Sequence, residues 1–95
     1  MRNYKLSNEA KEDLRRIYIY GYQHFGEAAA DSYFGEFCRV FESIARNPQP
    51  YQSVDHIRPG YRRCICGADS NYYRVSDFGI EIMAILGGQD TDHWL

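Results

Sequence analysis

Apolar residues recur at three- and four-residue spacing through the first half of the chain and at two-residue spacing through the second half, and the change of period divides it. Residues 3–6 form a short mixed stretch that reads as a strand. Ser7 follows as an N-cap with Glu9 in the first turn, and a helix is expected from about residue 8 to residue 24. Ala10, Leu14, Ile17, Tyr18, Gly21 and Phe25 make its apolar stripe, with Glu12, Asp13, Arg15, Arg16 and Gln23 between them, and Gly26 stops it. A second helix is expected over about 27–46, with Tyr33, Phe37, Phe41, Ile44 and Ala45 on its buried side. Asn47-Pro48 ends it. So short a link between two amphipathic helices predicts an antiparallel αα-hairpin.

Pro48, Pro50, Pro59 and Gly60 mark a loop region, after which three strand-like runs follow at 61–66, 71–76 and 80–86. The links at 67–70 and 77–79 are short enough for hairpin turns, so an antiparallel meander is expected. In the last run Ile80, Ile82, Ala84 and Leu86 should share one face and Glu81, Met83 and Ile85 the other. Helices packed on one face of such a sheet make an α+β fold of β-α-α-β-β-β order.

The 95 residues allow one compact domain, taken as 1–95. Nine Tyr, five Phe and one Trp mean that a few large rings fill much of the core. The start of the chain lacks a signal-peptide pattern, and no stretch approaches the roughly eighteen apolar residues of a membrane span, so a cytoplasmic protein with no membrane contact is expected. Cys38, Cys64 and Cys66 are an odd number, which suits reduced thiols. Net charge is −2, giving no general attraction for a phosphate backbone. The distribution is uneven, however. Arg58, Arg62, Arg63 and Arg74 face only Asp55 and Asp69 between residues 47 and 76, whereas the chain from Asp77 onward carries Asp77, Glu81, Asp90 and Asp92 with no Lys or Arg.

Chemistry-bearing patterns are few. Cys64-x-Cys66 puts two thiols on one strand face, but zinc wants four ligands and His24, His56 and His93 lie at no ligand-like spacing. No Ser-His-Asp set, phosphate-binding glycine loop or metal-type carboxylate motif occurs, so no catalytic residue, metal or cofactor is expected. The many tyrosines read as packing residues with their hydroxyls at the surface.

Tyr4-Lys5-Leu6-Ser7-x-x-Ala10-x-x-Asp13-Leu14-x-x-Ile17, Phe25-Gly26, Phe41-x-x-Ile44-Ala45-x-Asn47-Pro48, Ile57-Arg58-Pro59-Gly60-Tyr61-Arg62, Tyr72-Tyr73-Arg74 and Ile80-x-Ile82 stand in one order and spacing across the chain. That ordered set resembles the ParE toxin family, within the RelE/ParE superfamily of type II toxin–antitoxin systems. The resemblance implies that the first short strand joins the sheet. It also implies a ParD-like antitoxin as hetero-oligomeric partner, DNA gyrase as target, and no sequence-specific nucleic-acid binding by the toxin itself. Candidate target-binding residues are Arg58, Tyr61, Arg62, Arg63, Arg74 and Trp94; candidates for antitoxin contact, in a groove between sheet and helices, are Leu14, Tyr18, Tyr22, Tyr72 and Tyr73.

The chain departs from the family where members end the last strand with Arg-Ile-Leu-His: here the stretch is Ala84-Ile85-Leu86-Gly87. Two further readings stand beside gyrase inhibition. One is a RelE-like ribosome-dependent mRNA endoribonuclease, for which Arg62, Arg63 and Arg74 would be the charge-stabilising set. The other is a member that binds antitoxin without poisoning the cell.

Overall fold

Ser7 is where the first strand ends and the first helix begins, and its hydroxyl serves both. In the computed structural model, which describes residues 3–87, β1 (Asn3–Leu6) is followed by α1 (Asn8–Phe25). The Ser7 hydroxyl accepts from Ala10 N–H at 3.0 Å as the N-cap and donates to the Met83 carbonyl at 2.9 Å, while Ser7 N–H donates to the Ile82 carbonyl. Gly26, at φ 91°, ends α1 and opens α2 (Glu27–Arg46), a left-handed position that suits a residue without Cβ. The predicted hairpin is there, one residue longer in α1 than the periodicity indicated.

The strands after α2 are β2 (Gln52–Ser53), β3 (Arg62–Cys66), β4 (Asp69–Ser76) and β5 (Gly79–Gly87), in the sheet order β1-β5-β4-β3-β2. The meander β3-β4-β5 is antiparallel as expected. The sheet as a whole is mixed, because β1 lies parallel to β5 with Asn3 opposite Gly79 and Leu6 opposite Ile82. A helical hairpin carries the chain from β1 across the sheet to β2 at its far side, and a connection of that length permits a parallel neighbour. The two-residue β2, paired with Arg62 and Arg63, is too short to show a period and was not anticipated.

Strict alternation along the last strand also fails. Tyr72 pairs with Ala84 and Tyr73 with Ile82, so Met83 is an extra residue on β5. Such a bulge resets which face each later side chain takes. Ile85 therefore joins Ile80 and Ile82 under the helices, with Ala10, Leu14, Phe37, Phe41 and Ile44, whereas Ala84 and Leu86 turn to the other side. There they form a second, smaller core with Tyr72 and Val54, flanked by Ile57 and Tyr61. The loop between β2 and β3 thus covers part of the face that the helices leave open.

Among the described residues no strand lies beside the outer edge of β5 beyond Leu6, and Ser7 and α1 supply partners there. Ser7 donates to Met83, and the Asp13 carboxylate accepts the Ile85 N–H at 3.0 Å. The Ser-x-x-Ala-x-x-Asp spacing is accordingly structural: Ser7 and Asp13 satisfy strand backbone while Ala10, fully buried, lets the helix approach. Ser7→Ala should cost about 1–2 kcal/mol in urea denaturation. Ser7→Asp should recover only part of that, because a carboxylate caps the helix but has no proton for Met83.

Candidate functional site

The α1–α2 hairpin buries one stripe and leaves a second apolar surface uncovered. Ile17 lies half-buried against the core, but Ile19, Tyr20, Tyr22, Phe25 and Phe34 are exposed, Phe25 to 71%. Phe25 is thus not part of the buried stripe. It sits at the hairpin tip, beside the Tyr20 ring, which also stacks on His24 at 3.9 Å. Exposed aromatics concentrated on one element of a small protein mark an interaction surface.

This surface borders a groove of about 760 Å³ between the hairpin, the β3–β4 turn and the end of β5. Ile17, Tyr20, Gly21 and Phe25 come from α1, Ala29, Ala30, Tyr33, Phe34 and Phe37 from α2, and Gly67, Ala68, Asp69 and Gly87 from the sheet. Gly21 faces Ala30 of α2, and a Cβ added there would make only ordinary contact with Ala30 Cβ, at 3.7 Å. Across the groove Tyr33 ties α2 to the turn, its hydroxyl within reach of the Cys66 carbonyl (2.8 Å) and Asp69 Oδ2 (2.9 Å). Gly67, at φ 59°, takes the turn conformation and leaves room for the Tyr33 ring. A shallower apolar patch formed by Leu14, Tyr18 and Phe34 continues around the hairpin, where Tyr18 donates to Asp31 at 2.6 Å. That bond to an anionic acceptor, first among the causes, pushes the Tyr18 hydroxyl up to about 12.

Of the residues expected at an antitoxin groove, Leu14 and Tyr18 line the groove and Tyr22 lies beside Tyr18. Tyr72 and Tyr73 do not. Both are buried, Tyr72 in the second core and Tyr73 in the main one, where its hydroxyl donates to the Pro48 carbonyl at 2.7 Å. That contact pins the exit of α2 to the sheet, and neither ring offers surface to a partner. Sequence reasoning missed Tyr20, Phe25, Ala29 and Phe34 as groove residues. Their signal was an apolar band on α1 and α2 wider than one buried stripe requires.

The arginines do not converge. Arg62 lies across from Tyr73 and donates to the Tyr51 carbonyl at 2.7 Å; Arg63 lies across from Tyr72, on the opposite face, and donates to Gln52. Arg74 pairs with Glu81 at 2.9 Å. Arg58 and Arg74 are exposed and Tyr61 is half-buried. Tyr61 flanks the second core, and by strand alternation Arg63 and Arg74 project to that same face, away from the helices, where Glu81 pairs with Arg74. Trp94 lies outside the described residues.

Among the described residues no group of three or more His, Cys, Asp or Glu is placed to hold a metal, and no helix is long and apolar enough to cross a membrane. Cys64 and Cys66 both pack on the helix side. Burial foremost, with Glu36 next, pushes the Cys66 thiol from 9.0 up to about 11, and burial raises the hydroxyls of Tyr33 and Tyr73 as well. Each raised group stabilises the fold fully below its unfolded pKa, and that contribution is lost as pH rises through its folded value. The urea midpoint should therefore fall between pH 9 and 11, and fall less steeply in Cys66→Val.

Residues 4–91 match the family described as ParE toxin of type II toxin-antitoxin system, parDE. The chain belongs to the ParE toxin family. It is 38% identical over 86 residues to Toxin ParE1 of Caulobacter vibrioides, covering 90% of this chain and 88% of that one. Toxin ParE1 of Mycobacterium tuberculosis is 33% identical over 84 residues, 87% and 86% of the two chains. Among solved structures, the chromosomal ParDE system from P. aeruginosa superposes with a TM-score of 0.78 at 20% identity, covering 92% of this chain and 96% of that chain. The YoeB-YefM complex from Staphylococcus aureus gives 0.58 at 22% identity, over 90% and 94%. These likenesses at low identity concern the fold, and they agree with the ParE architecture of two helices on a mixed five-stranded sheet.

Proposed function

We propose that this ParE toxin acts in the cytoplasm by binding rather than by catalysis, held inactive by a ParD-like antitoxin and, once free, inhibiting DNA gyrase. The apolar groove carries the antitoxin half of the reading. It offers exposed Tyr20, Phe25 and Phe34 as anchors to an amphipathic segment, the kind of surface a helix-in-groove partner covers. The target half rests on family membership, with Tyr61 and Arg63 as the candidate contacts on the sheet face away from the helices. The ribonuclease reading draws less support, because Arg62 and Arg63 point to opposite faces and Arg74 is neutralised by Glu81.

The test is a gyrase supercoiling and cleavage assay with the folded chain, alone and with the antitoxin encoded beside it. Inhibition with trapped cleavage, reversed by antitoxin, is the expected result. Folded, antitoxin-binding protein that leaves gyrase untouched would remove gyrase as target and favour a member that binds antitoxin without poisoning. Loss of antitoxin binding in Ala29→Arg, with an unchanged melting curve, would place the antitoxin in the groove.

A further inference from the structure

The hairpin has an outer face, turned away from the sheet, that neither the core nor the groove uses. On α1 its outward positions are Arg15, Ile19 and Tyr22, all exposed, Ile19 to 42% and Tyr22 to 50%. On α2 they are Ala28, Asp31 and Gly35. Ile19 and Tyr22 do not line the groove. We propose that this face is a dimer interface between two copies of the antitoxin-free chain, with α1 of each packed on α2 of the other.

The two helices complement each other in shape. Tyr18 stands level with Asp31 and Phe34, and Gly21 level with Ala30, which fixes the heights along the hairpin. A two-fold axis running along the hairpin, between its helices, exchanges α1 and α2 and keeps those heights. Ile19 and Tyr22 of one copy then come down beside Ala28 of the other, and the stem of Arg15 beside Gly35, so large side chains on α1 meet small ones on α2. Gly35 has no packing task within the chain. It lies in the interior of α2, where glycine disfavours helix, and an added Cβ would meet only Arg39 Nη1, at 3.6 Å, among the described residues.

Charge points the same way. Lys11 and Arg15 stand on α1, Asp31 and Glu42 on α2, all exposed and none in an ion pair among the described residues. Glu12 lies at the outer margin of α1, and Arg16 and Arg39 are held by Asp13 and Glu36. Exchanging the helices therefore sets the cations of each copy over the anions of the other. Helices of 18 and 20 residues lying about 8–10 Å apart present a face of about 500 Å² on each copy, or about 1,000 Å² in all, the lower limit for a specific interface. Such a size supports a weak dimer, with the apolar pair at its centre buried and the charges setting its register. The interface rests on neither the antitoxin nor the gyrase reading, and its failure leaves both standing.

The test is sedimentation velocity of the full chain under reducing conditions, from low to high micromolar concentration. The mass should move from that of a monomer toward that of a dimer. Ile19→Asp and Gly35→Gln should stay monomeric at the highest concentration without a lower Tm, and Gly35→Gln should raise Tm slightly because it improves helix propensity. A chain carrying Lys11→Glu with Arg15→Glu, and one carrying Asp31→Lys with Glu42→Lys, should each be monomeric alone and form a dimer when mixed. Ile65→Arg, exposed on the sheet face away from the helices, should dimerise as the parent does. A monomer mass throughout, a dimer that survives both Ile19→Asp and Gly35→Gln, no dimer on mixing the two charge variants, or loss of the dimer in Ile65→Arg would each overturn the proposal.

Discussion

Gly79→Ala should lower the stability of the chain by about 2–6 kcal/mol, the sum of backbone strain and overpacking. Gly79 opens β5 at φ 153°, buried, directly opposite Asn3 of the parallel strand β1. A Cβ there would overlap the Asn3 carbonyl oxygen and crowd its neighbouring backbone atoms. The contact is backbone on backbone, so no side chain can rotate away, and β1 has to shift. With it go the pairing of Asn3–Leu6 with β5, the packing of Tyr4 on Phe41 at 5.5 Å, and the approach of Ser7 to Ile82. At about 4–8 °C per kcal/mol for a chain of this size, the melting temperature should fall by roughly 10 °C or more. Gly60→Ala provides the comparison. Gly60 has φ 81° but nothing within 4 Å of a new Cβ, so it isolates backbone strain, about 1–2 kcal/mol. Equal losses at the two positions would show that β1 yields without cost.

The same region shows why some of the fold could be read from sequence and some could not. Ser7, Gly26 and Asn47-Pro48 are local signals whose effects are felt within one turn of helix, and the elements they bound are found where the sequence places them. The parallel β1, the bulge at Met83 and the two-residue β2 depend on where distant strands meet. Nothing local announces them: Met83 is extra only because Tyr72 and Tyr73 stand opposite Ala84 and Ile82. That one inserted residue moves Ile85 to the helix side. It also puts Ala84 under the loop between β2 and β3, fully buried with Val54 and Tyr72. Ala84, where the family resemblance leads to the expectation of an arginine, is a small residue beneath that loop. The candidate groove was half legible for the same reason. Leu14, Tyr18 and Tyr22 follow from helical period, but whether Tyr72 and Tyr73 face solvent is settled by what covers each sheet face. Burial excludes both.

Phe37→Ala should cost about 3–5 kcal/mol, a large part of the 5–15 kcal/mol that holds a domain of this kind together. Phe37 is fully buried, its ring 4.9 Å from that of Tyr33 and 6.0 Å from that of Phe41. It also forms the floor of the groove, so removing it extends the groove into the main core and loosens the support beneath Tyr33. Because the new space adjoins solvent, water can enter it, and the loss should fall toward the lower end of that range. Phe41→Ala, which empties a site not on the groove, should lie toward the upper end. Phe34→Ala separates the floor from the wall. The Phe34 ring is 43% exposed, so its removal should change stability by about 1 kcal/mol or less while weakening whatever binds between the helices and the β3–β4 turn. If Phe34→Ala proves as destabilising as Phe37→Ala, the wall belongs to the core rather than to a binding surface. If Phe37→Ala leaves the urea midpoint unchanged, the core is held by the sheet and the inner side of α1 alone, and the groove can deform to fit its partner.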